Sequence, residues 1–477
     1  MNWLYKFKES KFGQIFQYSL IKYIALGIGF LKGIVNAKFL GPELLGILGN
    51  LILVLGYCSY ANLGVLNAMN REYVLYKDKD EKKADEVINT AFTFLFLVSI
   101  VLLIFGIGSL VIYKNQFGIY LLLIFIIAIF EQFRALFVNY FRLMDNYKLI
   151  NLIEIIYSII AFIITFILIE KMEVFAVLLS MLVCGIAIFI VGIYKMKKVK
   201  ITLNKSILKD LISVGVPLLI YNLGFYILTT VDRFIIIKYL DKSALGYYTF
   251  ANSMVSGTLV FITSLLFLLY PKVIKEFNER QGVNIPNKVK SYTKVLELAG
   301  VIFFIVGIIC MRPFIGIFLP RYMESIGVYM LLLMAVIINN LAYFSNCYIV
   351  SNGKQKYLVY LQIATIILNF VLNTVFVKFG LGIKGVALGT LCANFMYSLL
   401  QYLIFIKLNT KKISFKNIWE IYSKISIFTI VQIILLFFND NYYLIVGVTI
   451  IITMLLYAKE ILNINKYIKI IKSGVEV

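Results

Sequence analysis

The sequence predicts an all-α polytopic membrane protein with about 14 transmembrane helices, built as two pseudo-symmetric six-helix bundles plus two C-terminal helices. Hydrophobic residues make up 61% of the 477-residue chain, and its mean hydropathy is +0.92. Soluble domains, in contrast, are only about half apolar. Apolar runs of about 20 residues, each long enough to cross a bilayer, recur from end to end. A short motif also occurs twice, once in each half of the chain.

Each apolar run is predicted to be a helix, because lipid offers no hydrogen-bond partners to an open backbone. The predicted spans are 12–39, 45–69, 87–113, 118–141, 149–169, 173–194, 211–239, 246–270, 293–319, 326–350, 357–379, 383–406, 417–438 and 441–458. The longest polar connections are 71–86 and 271–292. We therefore expect no soluble catalytic domain between the helices.

The repeated motif indicates an internal duplication. The stretch Lys38-Phe-Leu-Gly-Pro-Glu-Leu-Leu-Gly46 returns as Lys238-Tyr-Leu-Asp-Lys-Ser-Ala-Leu-Gly246, with Lys, Leu, Leu and Gly at the same offsets. An even number of predicted helices separates the copies, so both would enter the membrane in the same sense. We expect a parallel repeat with the substrate site between its halves. The predicted domains are the bundles 1–206 and 207–406, followed by two helices and a tail in 407–477.

The net charge of +22 is attributed to membrane topology and not to nucleic-acid binding. Basic residues concentrate in alternate loops, as in the segment from Lys195 to Lys205. Under the positive-inside rule this distribution predicts that both termini are cytoplasmic. The first apolar run is too long for a cleaved signal peptide, so we expect it to be retained.

The residue inventory excludes several kinds of site. The chain has no histidine, and its five cysteines all lie inside apolar runs. These facts exclude the usual zinc and haem sites and histidine-based catalysis. The sequence also contains no phosphate-binding loop of the nucleotide-hydrolysing type. We expect no metal, no cofactor and no enzymatic activity, and energy from an ion gradient or from substrate turnover.

Four cationic residues inside predicted spans are candidates for binding an anion: Lys22, Lys32, Arg134 and Arg233. A charge inside the bilayer costs about 2.5–3.5 kcal/mol, so each needs a partner or water. Lys22, Lys32 and Asn36 share one face of the first helix with two glycines, as expected for a water-filled cavity. The alternative is that lysines near the helix ends extend to the interfaces. Lys32 lies deeper, which favours the cavity there.

Two acidic residues, Glu131 and Asp232, are candidates for ion coupling. Glu131 precedes Arg134 by three residues, which is ion-pair spacing on a helix, so a structural pair is the simpler interpretation. Asp232 is adjacent to Arg233 but points about 100° away from it. The sequence leaves open whether Asp232 binds a cation or a proton, or bonds to a neighbouring helix.

Amide side chains inside the spans are candidates for contacting sugars or lining a polar lumen. They are Asn36, Asn222, Asn252, Gln362, Asn369 and Asn373. Asn222 begins a polar stripe on the seventh helix that ends at Arg233, at spacings of four, three and four. Gln362, Asn369 and Asn373 share one face of the eleventh helix. Amides both donate and accept, which suits sugar hydroxyls, although they also bond helices to one another.

These motifs resemble the polysaccharide (O-antigen type) flippases of the multidrug/oligosaccharidyl-lipid/polysaccharide exporter superfamily, over nearly the whole chain. The most specific match is the first copy of the repeat. Further matching positions are Asn70-Arg71-Glu72, Pro217, Asp232, Leu245-Gly246-Tyr247 and Asn352-Gly-Lys354. The family usually has Arg in place of Lys38 and often an aromatic residue in place of Leu45.

The resemblance implies a flippase of the bacterial cytoplasmic membrane, with no nucleic-acid partner. It would translocate undecaprenyl-diphosphate-linked oligosaccharide repeat units by alternating access, for surface polysaccharide assembly. Lys22, Lys32 and Arg233 would hold the diphosphate, joined by Arg134 if Glu131 does not bind it. The other expected partners are membrane lipids, with a polysaccharide polymerase or assembly proteins and H+ or Na+ as candidates.

Other functions remain open. A cation-coupled multidrug antiporter of the same superfamily would be expected to carry surplus carboxylates in its spans, whereas cations outnumber acids here. A peptidoglycan-precursor lipid flippase would also handle a diphosphate. A membrane-embedded glycan polymerase or glycosyltransferase would need a large outer loop, and the predicted outer turns are short.

Overall fold

The computed structural model describes residues 11–196, 199–279, 285–410, 415–439 and 441–463. Its helices are α1 (Lys11–Cys58), α2 (Val65–Lys77), α3 (Glu81–Ile112), α4 (Gln116–Leu143), α5 (Tyr147–Ile155), α6 (Ala161–Lys195), α7 (Lys205–Leu228), α8 (Val231–Tyr239), α9 (Lys242–Glu279), α10 (Ile285–Phe318), α11 (Ser325–Leu341), α12 (Tyr343–Ser351), α13 (Gln355–Lys378), α14 (Gly382–Thr410), α15 (Phe415–Phe438) and α16 (Tyr442–Leu462). A π-helical turn, Ile156–Ile160, joins α5 to α6. The tails predicted to be cytoplasmic, 1–10 and 464–477, lie outside the described residues.

The all-α polytopic fold is confirmed over the described part of the chain. Eleven helical segments there are long and apolar enough to cross a membrane. Two of them, Leu20–Cys58 with 39 residues and Tyr147–Lys195 with 49 residues, have about the length of two crossings each. The 38-residue helix α9 covers the eighth predicted span. The structure therefore agrees with about 14 crossings.

Two predicted loops are kinks within continuous helices, at Gly41 in α1 and at Glu173 in α6. Helix α1 bends at Gly41, whose φ of 68° is left-handed, and Pro42 follows. Proline suits the first turn of the next helical segment, because it brings a fixed φ and no N–H that would need a partner. The second copy of the motif also lies at a break, since α8 ends at Tyr239 and α9 begins at Lys242.

Three predicted spans are interrupted, which hydrophobicity did not predict. Span 45–69 breaks between α1 and α2, span 326–350 breaks at Ala342, and span 211–239 breaks after α7. At the third break the hydroxyls of Thr229 and Thr230 both donate to the Tyr226 carbonyl oxygen, at 2.9 and 2.8 Å. Such local bonds compete with the helical ladder. The predicted stripe from Asn222 to Arg233 on one helix is therefore wrong beyond Leu228.

Side chains satisfy the open backbone between α1 and α2. The Gln132 side-chain amide donates to the Cys58 carbonyl oxygen at 2.7 Å. Asn62 Nδ2 donates to Gln132 Oε1 at 2.7 Å, and Asn62 Oδ1 accepts from the Gly64 N–H at 3.0 Å. Irregular backbone at membrane depth needs partners of this kind, because lipid supplies none.

The chain divides into two compact units, Met1–Leu223 (unit 1) and Gly224–Val477 (unit 2). In unit 1, helices α1, α4 and α6 pack against one another, and α3 packs along α4. In unit 2, α14 packs along both α11 and α13, and α8 adjoins α13 and α14. The repeat boundary at residue 206 stays a prediction.

The last two helices are bonded to α10 within unit 2. The Tyr457 hydroxyl of α16 donates to Glu297 Oε1 of α10 at 2.6 Å, and both side chains are buried. The rings of Phe304 on α10 and Phe428 on α15 meet edge to face with centroids 5.5 Å apart. Packing and a buried hydrogen bond therefore hold this pair in place.

Replacement of Gly64 by Ala is expected to destabilise unit 1. Gly64 has a φ of 74°, and a Cβ there would lie 2.2 Å from the Gly215 carbonyl oxygen. The left-handed backbone alone costs a non-glycine residue about 1–3 kcal/mol, and the overlap adds to it. We expect a lower midpoint of thermal unfolding in detergent for Gly64→Ala. Gly108→Ala is the matched control, since no side chain of the described residues and no backbone outside its own helical turn lies within 4 Å of its Cβ position. Equal midpoints for the two variants would contradict the expectation.

Candidate functional site

Lys32 of α1 is held by hydroxyl groups inside unit 1. Its Nζ donates to Ser180 Oγ at 3.1 Å, and Thr165 Oγ1 donates to the same oxygen at 2.9 Å. Ser180 and Thr165 lie on α6 and are fully buried. Lys32 is nine residues, about 14 Å along the helix, from the kink at Gly41. No carboxylate contacts it among the residues that the structure describes.

Arg134 of α4 is bound by Glu131 of the same helix. Its Nε and one terminal nitrogen donate to the single oxygen Glu131 Oε2, at 2.8 and 2.6 Å. The Tyr157 ring lies 4.6 Å from the guanidinium carbon. Glu131 Oε1 is buried and has no hydrogen-bond partner among the described residues. The structural ion pair that the sequence favoured is therefore formed.

Residues of α5 and α6 lie next to both cations. Cys184 Sγ of α6 donates to the Tyr157 carbonyl oxygen at 3.9 Å. Glu154 of α5 is a second carboxylate near Arg134. We call Lys32, Glu131, Arg134, Tyr157 and Ser180 the Lys32 cluster. With Glu154 it brings together two cations and two carboxylates.

The face of α1 that carries Lys32 is partly uncovered. No heavy atom of the described residues lies within 4 Å of the Cβ positions of Gly29 and Gly33. Asn36 is buried, and its Oδ1 has no hydrogen-bond partner among the same residues. Lys22 is exposed. The predicted cavity face thus combines open space, a cation and an unsatisfied amide oxygen.

Asp232, at the start of α8 in unit 2, is buried and bonded to a neighbouring helix. The hydroxyl of Tyr248 on α9 donates to Asp232 Oδ2, and the Arg233 N–H donates to Oδ1 at 2.8 Å. The sequence left open whether Asp232 binds a cation or a proton, or bonds to a neighbouring helix. The bond to a neighbouring helix is present. Arg233 is half-buried, and its Nε has no hydrogen-bond partner among the described residues.

The amides of α13 lie buried in unit 2, on a face packed towards α14. Gln362, Asn369 and Asn373 are at most 2% exposed. Thr390 Oγ1 of α14 donates to Asn369 Oδ1 at 3.4 Å. We call Asp232, Tyr248, Asn369, Asn373 and Thr390 the Asp232 cluster. Its members connect α8, α9, α13 and α14.

Two predicted lumen residues lie apart from these clusters. Asn222 is exposed, and its carbonyl oxygen accepts a hydrogen bond from the Tyr60 hydroxyl at 3.3 Å. Asn252 of α9 is half-buried. Neither side chain forms a hydrogen bond within the described residues.

Sequence reasoning missed the partners of the charged residues. Ser180, Thr165, Tyr248 and Thr390 complete the two clusters. Ser180, Thr165 and Thr390 are each a lone hydroxyl in an apolar run, and Tyr248 stands between two other hydroxyl residues, Tyr247 and Thr249. Such residues usually bond to their own helix backbone, as Ser180 also does to the Val177 carbonyl oxygen at 2.7 Å. Only the helix packing indicates which of them contacts a charge.

Removal of the Tyr248 hydroxyl is expected to destabilise unit 2. Tyr248→Phe leaves a buried carboxylate oxygen without its donor, a loss of about 1–3 kcal/mol. We expect a lower thermal midpoint for purified Tyr248→Phe protein. The control is Tyr247→Phe, because the half-buried Tyr247 packs its ring edge against Tyr322 and its hydroxyl forms no hydrogen bond with the described residues. A Tyr248→Phe midpoint equal to that of wild type would refute a stabilising role for this bond.

Comparisons with solved structures identify the same fold in membrane transporters. An inward-facing multidrug resistance MATE family transporter of the MOP superfamily aligns with a TM-score of 0.67 and 18% identity, over 81% of this chain and 96% of its own. The lipid II flippase MurJ, in an inward closed conformation, aligns with a TM-score of 0.66 and 16% identity, over 93% and 99%. A MATE structure in the straight conformation gives a TM-score of 0.57 and 16% identity, over 86% and 99%.

The sequence itself identifies the family. No curated protein matches the chain significantly. The profile of the family described as polysaccharide biosynthesis protein matches residues 13–277. This match covers more than half of the 477 residues. The protein is thus a multi-pass membrane protein with the fold of MOP-superfamily transporters, and it belongs to the polysaccharide biosynthesis protein family.

Proposed function

We propose that the protein is a flippase for undecaprenyl-diphosphate-linked oligosaccharide repeat units, and not an enzyme. It would work by alternating access in the bacterial cytoplasmic membrane, with both termini cytoplasmic, and would supply surface polysaccharide assembly. Its membership of a polysaccharide biosynthesis family supports the pathway. Its likeness in fold to a lipid II flippase supports the type of transport.

The observation that carries the proposal is the environment of Lys32. A charged group inside the membrane needs a partner or water, and among the described residues Lys32 has only the Ser180 hydroxyl. A phosphate group supplies the missing negative charge. The open space beside Gly29 and Gly33 leaves room for a bulky ligand on the same helix face.

The other cations contribute to different extents. Arg233 has an unsatisfied buried Nε, which supports a role in phosphate binding. Lys22 is exposed and lies ten residues before Lys32 on α1. We keep its proposed role in binding the diphosphate. Arg134 is bound by Glu131, so it can take part only after that bond has opened.

The polar residues divide in a similar way. Asn36, with an unsatisfied Oδ1 on the face of Lys32, is the best supported sugar contact. The burial of Gln362 and Asn369 favours hydrogen bonding between helices, whereas neither amide atom of Asn373 has a hydrogen-bond partner among the described residues. Coupling to H+ or Na+ is proposed for Asp232, because a buried carboxylate surrounded by hydroxyl and amide groups offers oxygen ligands or a protonation site.

The main competitor is a cation-coupled multidrug antiporter. The MATE transporters of similar fold favour it. A cationic drug would be repelled by Lys32, however, and Arg134 already neutralises Glu131. The positive charge of Lys32, which no described carboxylate contacts, thus favours an anionic substrate.

Loss of the transporter should trap completed lipid-linked oligosaccharides on the cytoplasmic side. In a deletion strain we expect surface glycan to disappear and the lipid-linked units to accumulate, as measured by extraction of these lipids and a surface glycan assay. Increased sensitivity to cationic drugs with normal surface glycan would instead favour the antiporter.

Complementation of the deletion strain tests the cationic residues. Lys32→Ala and Arg233→Ala are expected to insert normally but to fail to restore surface glycan, because each removes a positive charge meant for the diphosphate. Lys38→Ala is the matched control, since Lys38 is exposed on the same helix. Full complementation by both Lys32→Ala and Arg233→Ala would refute the anion site.

A further inference from the structure

The ion pair between Glu131 and Arg134 is incomplete. Nε and one terminal nitrogen of Arg134 both contact Glu131 Oε2, while Glu131 Oε1 is buried without a hydrogen bond among the described residues. An arginine and a carboxylate are bound more strongly when two parallel hydrogen bonds use both oxygens. The pair therefore leaves the desolvation of one carboxylate oxygen uncompensated.

A phosphate group is a stronger partner for the same guanidinium. It offers more oxygens and more negative charge than a carboxylate, and arginine's planar fork binds two of them at once. The Arg134 side chain is partly exposed, at 27% against 18% for that of Glu131. A phosphate approaching this side chain could bind it without first unfolding a helix.

Displacement would leave Glu131 without a cation. The titratable and charged groups that face its surroundings are Arg134 on α4, Glu154 on α5, Tyr157 in the π turn, Cys184 on α6 and, through Cys184, Lys32 on α1. Lys32 is bonded to Ser180 instead. A carboxylate with a buried oxygen and without a cation is neutralised most simply by a proton.

We propose that Glu131 is a displaceable counter-ion: substrate phosphate replaces it on Arg134, and the released Glu131 carboxylate takes up a proton from solvent. Anion binding and proton uptake are then linked within unit 1. This inference rests on the proposed function, because it names the regulation of the same anion site. It assigns proton coupling to the ion pair of Glu131 and Arg134 on α4, in addition to any role of Asp232.

Linkage fixes the sign of the pH dependence. If the bound state holds an additional proton, affinity for the anion falls as pH rises, by at most about tenfold per pH unit for one proton. By the same reciprocity, a bound anion increases the affinity for the proton. Replacement of Glu131 by Gln removes both the competitor and the protonation site. Binding should then be tighter and less dependent on pH.

The test is calorimetric titration of the full-length protein in lipid nanodiscs with inorganic pyrophosphate. Titration in two buffers with different heats of ionisation gives the number of protons taken up. We expect wild type to take up about one proton more per pyrophosphate than Glu131→Gln. We also expect Glu131→Gln to bind about tenfold more tightly near neutral pH. Glu131→Met serves as a second variant if the amide disturbs insertion.

Two controls separate the exchange from general charge effects. Glu170→Gln removes an exposed carboxylate from α6 of the same unit and should match wild type in affinity and proton uptake. Arg134→Met should bind pyrophosphate more weakly, because the guanidinium is lost. It should also lose the additional proton uptake, because there is no Arg134 from which phosphate could displace Glu131.

The outcomes distinguish the inference from the function on which it rests. Pyrophosphate binding by wild type with the same proton uptake as Glu131→Gln would overturn the exchange and leave the anion site standing. Absence of binding in wild type and in Glu131→Gln would overturn both. Additional proton uptake in wild type, lost in Glu131→Gln and kept in Glu170→Gln, would establish the exchange.

Discussion

The structure depends on one constraint: polar groups inside the membrane must find their partners within the protein. Lipid cannot replace a lost hydrogen bond, so every departure from the helix has to be compensated locally. The break after α1 is compensated by Gln132, which bonds to the Cys58 carbonyl oxygen. The break after α7 is compensated by two threonine hydroxyls on the Tyr226 carbonyl oxygen. Helix interruptions thus occur where a polar side chain is available to support them.

The same constraint orders the buried charges. Each of three intramembrane carboxylates has a donor: Glu131 has Arg134, Asp232 has Tyr248 and Glu297 has Tyr457. These bonds connect neighbouring helices or neighbouring turns, so they contribute to the packing of both units. Removing one partner of such a pair costs more than the bond contributes, because the remaining group stays buried and unsatisfied.

Polar groups that lack a hydrogen-bond or charge partner inside the membrane are therefore informative about ligand binding. Lys32 has only a hydroxyl, Glu131 has a buried oxygen without a donor, and Asn36 has an unsatisfied amide oxygen, all within unit 1. Because buried polar groups in native proteins are usually satisfied, these three groups are consistent with a site at which a ligand supplies the missing interactions. They lie on α1 and α4, two helices that pack together, and the proposed anion site follows from that combination.

The sequence by itself determined the fold class, because hydrophobic runs of membrane length admit only helices. It also determined the ion pair of Glu131 with Arg134, since a spacing of three residues is a property of one helix. It could not determine the partners of Lys32 and Asp232, which depend on Ser180 and Tyr248 in other helices. Nor did it predict the helix breaks, which hydrophobicity does not record. Contacts between helices are set by packing geometry, and only the tertiary structure decided them.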